Sequence, residues 1–151
     1  MMCRSRFPRC LLIVRDPLPS IVSEFNRQAA GHTGHAKHMK PLNGFVREKM
    51  KAWRKMNLDW MENSSPDHLL LVSYSQLVTD LSTQLYRIAT FLNVTVTEED
   101  MACTLQRREG LFQRKKVGQK IDVDKNVMKL LEEYKTEVLS AAVKIYDKFS
   151  I

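Results

Sequence analysis

Short apolar runs and longer segments with helical spacing alternate along this chain. The two apolar runs are Cys10–Val14 and Leu69–Val72, and both are short and mainly aliphatic. These properties predict two strands that are buried on both faces. Beyond each run the apolar residues recur every three or four positions, which predicts helices. The predicted helices lie near residues 19–28, 45–61, 80–92 and 125–149.

Strand–turn–helix units that repeat in this order pack as a parallel sheet covered by helices. We therefore expect an α/β fold in which residues 11–14 pair in parallel with residues 69–73. Thr97 precedes three acidic residues and predicts a further helix start, and Asp124 is suited to cap the last helix. In such folds ligands bind at the carboxyl ends of the strands. The candidate chemistry is therefore sought directly after the two apolar runs.

A cation, Arg15, ends the first predicted strand, and Pro17 opens the helix that follows. A helix N-terminus in this position offers free backbone N–H groups to an anion. Arg15 adds a planar guanidinium, and Ser23 adds a hydroxyl within the helix. The same pattern also fits a plain turn in which Arg15 pairs with Asp16 or with water. The pattern alone supports the two interpretations about equally.

The composition is that of a globular protein, and its charge is unevenly distributed. The chain has 151 residues, of which 44% are hydrophobic and 27% charged, with a net charge of +7. The net charge is +8 over residues 1–60, −5 over residues 61–106 and +5 over residues 107–120. Two basic blocks indicate an anionic ligand, although any polyanion would be attracted in the same way.

The residues after the first strand resemble a known family. Arg15-Asp16-Pro17, with Ser23 eight positions after Arg15, is similar to the 3′-phosphate-binding segment of sulfotransferases. These enzymes transfer a sulfuryl group from 3′-phosphoadenosine 5′-phosphosulfate (PAPS). Residues 24–36 extend the resemblance to the WSC domain-containing sulfotransferases, which are related to carbohydrate sulfotransferases. The resemblance runs from about residue 7 to 115 and implies a P-loop-type, three-layer α/β/α fold with a parallel sheet.

The resemblance also implies which residues bind the donor. Arg15 and Ser23 would contact the 3′-phosphate of PAPS. Tyr74, at the end of the second strand, would lie against the adenine. Without the resemblance, a core tyrosine whose hydroxyl is satisfied at the strand end is an equally good interpretation of Tyr74.

A basic loop near residues 112–116 resembles the sulfotransferase segment Phe-x-Arg-Lys-Gly, which closes over the same 3′-phosphate. Arg114 and Lys115 fall on its basic positions, whereas Lys116 stands where the family has glycine. The residues by themselves are also compatible with a solvated basic loop or a nucleic-acid contact.

Neither a catalytic residue nor a metal site is assigned. The general base of the family usually lies in the half of the domain that would precede this chain, or just after that half. His32, His35 and Glu24 are therefore candidates by their chemistry only. Three of the four histidines lie in residues 29–44, but they have no fourth ligand at a suitable spacing, and sulfuryl transfer from PAPS does not itself require a metal.

The resemblance implies that residues 1–151 are the C-terminal portion of one sulfotransferase domain. No G-x-x-x-x-G-K-[ST] phosphate loop occurs, and two strands are few for a parallel sheet. The chain would carry the 3′-phosphate-binding half and would be inactive alone. The expected acceptor is a carbohydrate hydroxyl, and no nucleic-acid partner is expected. The open alternatives are a non-enzymatic basic module that binds nucleic acid or polyanions, and a relative of P-loop kinases.

For the full-length protein the resemblance implies a glycoprotein of the Golgi lumen or membrane. The chain itself has no apolar run that would span a bilayer and no secretory leader. Asn63-Ser64-Ser65 and Asn93-Val94-Thr95 are glycosylation acceptor sequons. Such triplets are common by chance, and Pro66 follows the first one closely, so they support this location weakly.

Overall fold

The computed structural model describes residues 7–38, 42–108 and 121–145. Within these ranges the chain forms two strands and six helices. In order they are β1 (Cys10–Val14), α1 (Pro17–Ala30), α2 (Leu42–Glu62), β2 (Leu69–Ser73), α3 (Tyr74–Thr79), α4 (Leu81–Leu92), α5 (Glu98–Gln106) and α6 (Lys125–Ile145).

The two strands pair in parallel, as the sequence predicts. Their register runs from Cys10 opposite Leu69 to Val14 opposite Ser73. Both strands therefore end at the same level, and the residue after each strand emerges at the same edge of the sheet. This register determines which side chains meet in the candidate site.

Burial on both faces is confirmed for β2 and wrong for β1. In β2 every residue is buried except Leu70, which is half-buried. In β1 the side chains alternate: Leu12 and Val14 are buried, whereas Leu11 is 38% and Ile13 50% exposed. The described residues therefore cover that second face of β1 only in part. Its apolar side chains are consequently in contact with solvent.

The helix boundaries follow local capping interactions. Ser73 ends β2 and also caps α3, because its side chain accepts a hydrogen bond from the Gln76 amide at 3.4 Å. Asp80 separates α3 from α4 and caps the latter through Thr83. The sequence predicts a helix only from about residue 80, so α3 was not predicted. The predicted capping residue Asp124 is confirmed, since its carboxylate accepts the Asn126 amide at 2.9 Å.

At the start of α5, Thr97 and Asp100 form a capping box, in which each side chain accepts a hydrogen bond from the other's backbone amide. The helix start predicted there is confirmed.

The described residues fall into two compact units. The first comprises residues 7–15, 57–108 and 139–145 and contains the sheet with α3, α4 and α5. Its contacts run mainly between β1 and β2, with α3 and α4 both touching β2. The apolar residues buried in this unit include Leu12, Val14, Met61, Leu69, Leu71, Val72, Met101 and Ala142.

The second unit comprises residues 16–38, 42–56 and 121–138, with α1 and parts of α2 and α6. The rings of Phe25 and Phe45 pack edge to face with centroids 5.3 Å apart. The buried side chain of Asn26 accepts a hydrogen bond from the Ala36 amide at 2.8 Å, which ties the loop after α1 back to the helix. The buried cluster of this unit is Ile21, Val22, Phe25, Ala36, Leu42, Val46, Met50, Val127 and Leu131.

Among the described residues, no helix combines the length and hydrophobicity that a bilayer crossing requires.

Candidate functional site

The carboxyl edge of the sheet brings together two of the predicted site residues. Arg15 follows β1 and Tyr74 follows β2, and the register places the two strand ends side by side. The guanidinium carbon of Arg15 lies 4.2 Å from the centroid of the Tyr74 ring. This is a close cation–π contact between a planar cation and an aromatic face. It holds the Arg15 side chain at the edge where α/β proteins bind their ligands.

Two of the alternative interpretations are not supported, namely a core position for Tyr74 and an ion pair between Arg15 and Asp16. Tyr74 is 37% exposed and is therefore not a core tyrosine. Arg15 forms no ion pair with any carboxylate in the part of the chain that the structure describes. A guanidinium that stacks through its face keeps its N–H donors in the ring plane, directed away from the aromatic partner. Arg15 is thus positioned by Tyr74 at the carboxyl edge of the sheet.

The N-terminus of α1 differs from the sequence-based expectation. Pro17 and Pro19 have no N–H group, and the amide of Leu18 donates to the side chain of Asp16 at 3.2 Å. The amide of Ser20 donates to the backbone carbonyl of Asp16 at 3.4 Å. The prediction that the first turn offers free N–H groups to an anion is wrong. The first turn of α1 therefore supplies no free amide to an anion.

Asp16 also binds a cation from α6. The Lys135 ammonium donates to the second carboxylate oxygen of Asp16 at 2.5 Å. This hydrogen bond raises the pKa of Lys135. The contact joins residues 119 positions apart and neutralises the carboxylate at the start of α1. This pair could not be predicted from the sequence, because α6 carries several lysines in similar contexts.

Ser23 lies in the middle of α1 and is half-buried. It belongs to the second unit, whereas Arg15 belongs to the first, and its role stays a prediction. Arg114 and Lys115 lie outside the described residues, so their role also stays a prediction.

Glu24 is poorly suited to act as a general base. Arg27 donates two hydrogen bonds to its carboxylate, each 2.6 Å long, and Gln28 donates a third at 2.8 Å. These bonds, led by that from Arg27, lower the pKa of Glu24 to about 2. A carboxylate that is so weakly basic accepts a proton poorly near neutral pH. Two of the candidates for the general base that the sequence suggests therefore remain. They are His32, which is exposed, and His35, which is half-buried.

The described residues contain no group of three or more histidine, cysteine or acidic side chains that is arranged to hold a metal ion.

The sequence predicts Arg15 and Tyr74 as site residues, but it does not predict that they are in contact. Each residue was a candidate separately, and both directly follow predicted strands. Their pairing required the register, which a single sequence does not specify when both strands are continuous apolar runs.

The structure is that of an α/β protein with a parallel sheet. A cation and an exposed aromatic ring lie at the carboxyl edge of this sheet, which is an arrangement suited to an anionic ligand with a planar ring. Comparison with known proteins makes this class specific. Residues 4–120 match the family model described as Sulfotransferase domain. The chain belongs to the sulfotransferase family.

The relatives and the fold agree with this assignment. A WSCD family member of Aedes aegypti is 37% identical over 143 positions, which cover 89% of this chain and 45% of the relative. A WSCD family member of Drosophila melanogaster is 39% identical over 117 positions, or 73% of this chain and 37% of the relative. The chain thus spans less than half the length of these curated relatives. The predicted resemblance to this group is confirmed.

The fold resembles that of a solved sulfotransferase. The crystal structure of mouse sulfotransferase SULT7A1 complexed with PAP superposes with a TM-score of 0.60 at 16% identity. The match covers 92% of this chain and 59% of the mouse protein. The predicted sulfotransferase-like α/β fold with a parallel sheet is confirmed.

Proposed function

We propose that this chain belongs to an enzyme that transfers a sulfuryl group from PAPS to a hydroxyl acceptor on a carbohydrate. Family membership supports the reaction class. The observation that carries the proposal is the stacked pair of Arg15 and Tyr74 at the carboxyl edge of the sheet. A guanidinium with available donors fits a phosphate, and an exposed ring fits adenine, so the residues present are compatible with PAPS.

In this proposal the residues of the chain bind and orient the nucleotide. Arg15 neutralises the 3′-phosphate through a charge-assisted contact, and Tyr74 fixes both the guanidinium and the base. Ser23, Arg114 and Lys115 are proposed as further donors to the same phosphate, on the strength of the family motif. PAPS supplies the sulfuryl group. Such positioning matters because group transfer of this kind depends mainly on in-line geometry and charge stabilisation.

We further propose that residues 1–151 form the C-terminal portion of one sulfotransferase domain and are inactive alone. The chain covers 59% of the solved sulfotransferase, which supports this division. The open face of β1 supports it as well, since Leu11 and Ile13 are exposed although they lie in a strand. The remainder of the domain would cover these side chains.

The decisive experiment compares two nucleotides by calorimetry in the full-length protein. Wild type is expected to bind 3′-phosphoadenosine 5′-phosphate much more tightly than adenosine 5′-phosphate. Arg15→Ala is expected to weaken binding of the first by about 2 kcal/mol, because a charge-assisted contact is lost, and to leave the second almost unchanged. Arg15→Lys should restore part of the loss, since an ammonium keeps the charge but not the planar fork. An equal loss for both nucleotides would show that Arg15 has a structural role.

The same measurements separate the two other candidate functions. A basic module for nucleic acid or polyanions would bind with an affinity that falls steeply with salt and ignores the 3′-phosphate. A kinase relative would prefer adenosine triphosphate to the 3′-phosphorylated nucleotide. Neither alternative has a specific observation in its favour, and the family match favours the sulfotransferase.

The acceptor and the location are proposed from the sequence resemblance to carbohydrate sulfotransferases alone. We propose a Golgi protein, with its catalytic domain in the lumen, that sulfates glycans. Incubation of the full-length enzyme with labelled PAPS and a panel of glycans and small phenols tests the acceptor. Labelling confined to phenols would overturn the carbohydrate assignment, and localisation of the tagged protein to the cytosol would overturn the Golgi assignment.

A further inference from the structure

The two sequons are not used by the proposed nucleotide site, and the structure distinguishes them. Asn63 follows the end of α2 and is held by Asp59. Its side-chain nitrogen donates to the Asp59 carbonyl at 2.9 Å and to the Asp59 carboxylate at 3.1 Å. It also lines a small cavity beside Trp60 and His68. A sugar on this nitrogen would replace one of its two hydrogens and compete with these contacts.

Asn93 has the opposite environment. It caps the C-terminus of α4 in the left-handed conformation, with φ 58° and ψ 42°, which asparagine tolerates better than most residues. Its backbone amide donates to the Thr90 carbonyl at 3.1 Å, and the Val94 amide donates to the Ala89 carbonyl at 2.9 Å. The backbone therefore fixes this turn. The side-chain amide of Asn93 makes no hydrogen bond with any residue that the structure describes.

The rest of the second sequon is equally accessible. Thr95, whose hydroxyl completes the acceptor motif, is exposed and lies outside any helix or strand. The neighbours of Asn93 are apolar yet open to solvent, with Leu92 38% and Val94 55% exposed. A glycan at this position would cover aliphatic surface that the described residues leave uncovered, and it would displace no existing contact.

We propose that Asn93 carries an N-linked glycan and that Asn63 does not, an inference that rests on the proposed lumenal location. The donor is an oligosaccharide linked to a polyprenyl pyrophosphate. The Asn93 side-chain nitrogen forms a bond to C1 of the first N-acetylglucosamine, and the bond from C1 to the phosphate oxygen breaks. The pyrophosphate leaves with the electron pair, the amide loses one proton, and nothing is oxidised or reduced.

The experiment measures occupancy at residue 93 by mass spectrometry, after peptide-N-glycosidase converts a glycosylated asparagine to aspartate. The full-length protein is expressed in animal cells as wild type and as four variants. Asn93→Gly keeps the left-handed turn and Thr95→Ala keeps Asn93, and both are expected to abolish the modification. Thr95→Ser and Asn63→Gln are expected to keep it. Residue 93 that stays unmodified in wild-type protein that has entered the secretory pathway, or glycan found at Asn63 instead, would overturn the proposal.

A second experiment tests glycosylation of Asn93 independently of the proposed lumenal location. The same protein is expressed behind a cleavable secretory leader, with a reporter sequon appended at its C-terminus. Occupancy at both Asn93 and the reporter supports the site even if the protein without the leader is cytosolic. A glycosylated reporter beside an unmodified Asn93 refutes the site. Asn93→Gly should bind 3′-phosphoadenosine 5′-phosphate like wild type, so failure of the nucleotide proposal would be seen independently.

Discussion

Arg15 and Tyr74 lie 59 positions apart in the sequence, yet the guanidinium carbon of one is 4.2 Å from the ring centroid of the other. The parallel register causes this proximity, because each residue directly follows the last residue of its strand. Neither side chain is part of the buried core. The contact therefore lies at the carboxyl edge of the sheet and outside the buried core.

The first prediction is that Arg15 and Tyr74 act as a coupled pair in nucleotide binding. Tyr74→Phe keeps the aromatic face and should change affinity for 3′-phosphoadenosine 5′-phosphate little. Tyr74→Ala should weaken it, since the guanidinium loses its support. A double-mutant cycle with Arg15→Ala should give a coupling energy of about 0.5–1 kcal/mol, typical of an exposed cation–π contact. Additive losses would show that the two residues act separately.

The second prediction concerns the open face of β1. Ile13→Asn in the 151-residue chain should change stability little, because Ile13 is 50% exposed there. In the full-length domain the same substitution should destabilise by about 2 kcal/mol if the rest of the domain buries this side chain. Denaturant unfolding of both forms gives the comparison. The buried neighbour Val14 is the control, and Val14→Asn should destabilise both forms. Equal effects of Ile13→Asn in the two contexts would count against the proposed division of the domain.

The third prediction concerns the buried amide of Asn26. Asn26→Ala should destabilise the chain by about 1–3 kcal/mol, because the Ala36 amide then loses its acceptor in a buried position. Asn26→Asp keeps an acceptor oxygen and should recover part of that loss. Hydrogen exchange at the Ala36 amide is the specific readout, and it should accelerate in the alanine variant more than in the aspartate variant. Unchanged exchange would show that the loop is held by other contacts.

The fourth prediction concerns the ion pair between Lys135 and Asp16. Lys135→Met should lower stability by roughly 0.5–1 kcal/mol, in the range of a partly exposed pair. Since the folded-state pKa of Lys135 is raised, its contribution is present below the ordinary lysine pKa and is lost as the pH rises above it. The matched control is Lys129→Met, which removes an exposed lysine of the same helix and should have almost no effect. Similar losses for both variants would point to a general charge effect.

The fifth prediction is a pH dependence from Glu24. Its folded-state pKa of about 2 is below the ordinary value of 4.5, so its contribution is present above pH 4.5 and is lost as the pH falls towards 2. Both Glu24 and Arg27 are substantially exposed, with 35% and 49% of their side chains accessible, so screening limits the effect. We expect about 0.5 kcal/mol, as for other surface pairs on helices.

The readout for Glu24 is the difference in unfolding free energy between wild type and Glu24→Gln. This difference should be constant near neutral pH and should shrink through the acidic window. A difference that does not change with pH would show that the carboxylate makes no net contribution as an ion.

The sequence by itself determined the order of the elements and the family. The lengths of the strands, the spacing of apolar residues and the capping residues are local properties of the sequence. They were sufficient to predict β1, β2 and the longer helices. The Arg15-Asp16-Pro17 motif and Ser23 identified the family, because these residues lie close together in the sequence. The missing amides at the start of α1 were also implicit in the sequence, since Pro17 and Pro19 cannot donate a hydrogen bond.

Only the tertiary structure decided which side chains meet and which faces are covered. The stacking of Arg15 on Tyr74 depends on strand register, and the ion pair of Asp16 with Lys135 depends on where α6 packs. The exposure of Ile13 depends on the presence or absence of another layer over β1. A continuous apolar run reports that a strand is suited to burial, but the neighbours that bury it come from distant parts of the chain.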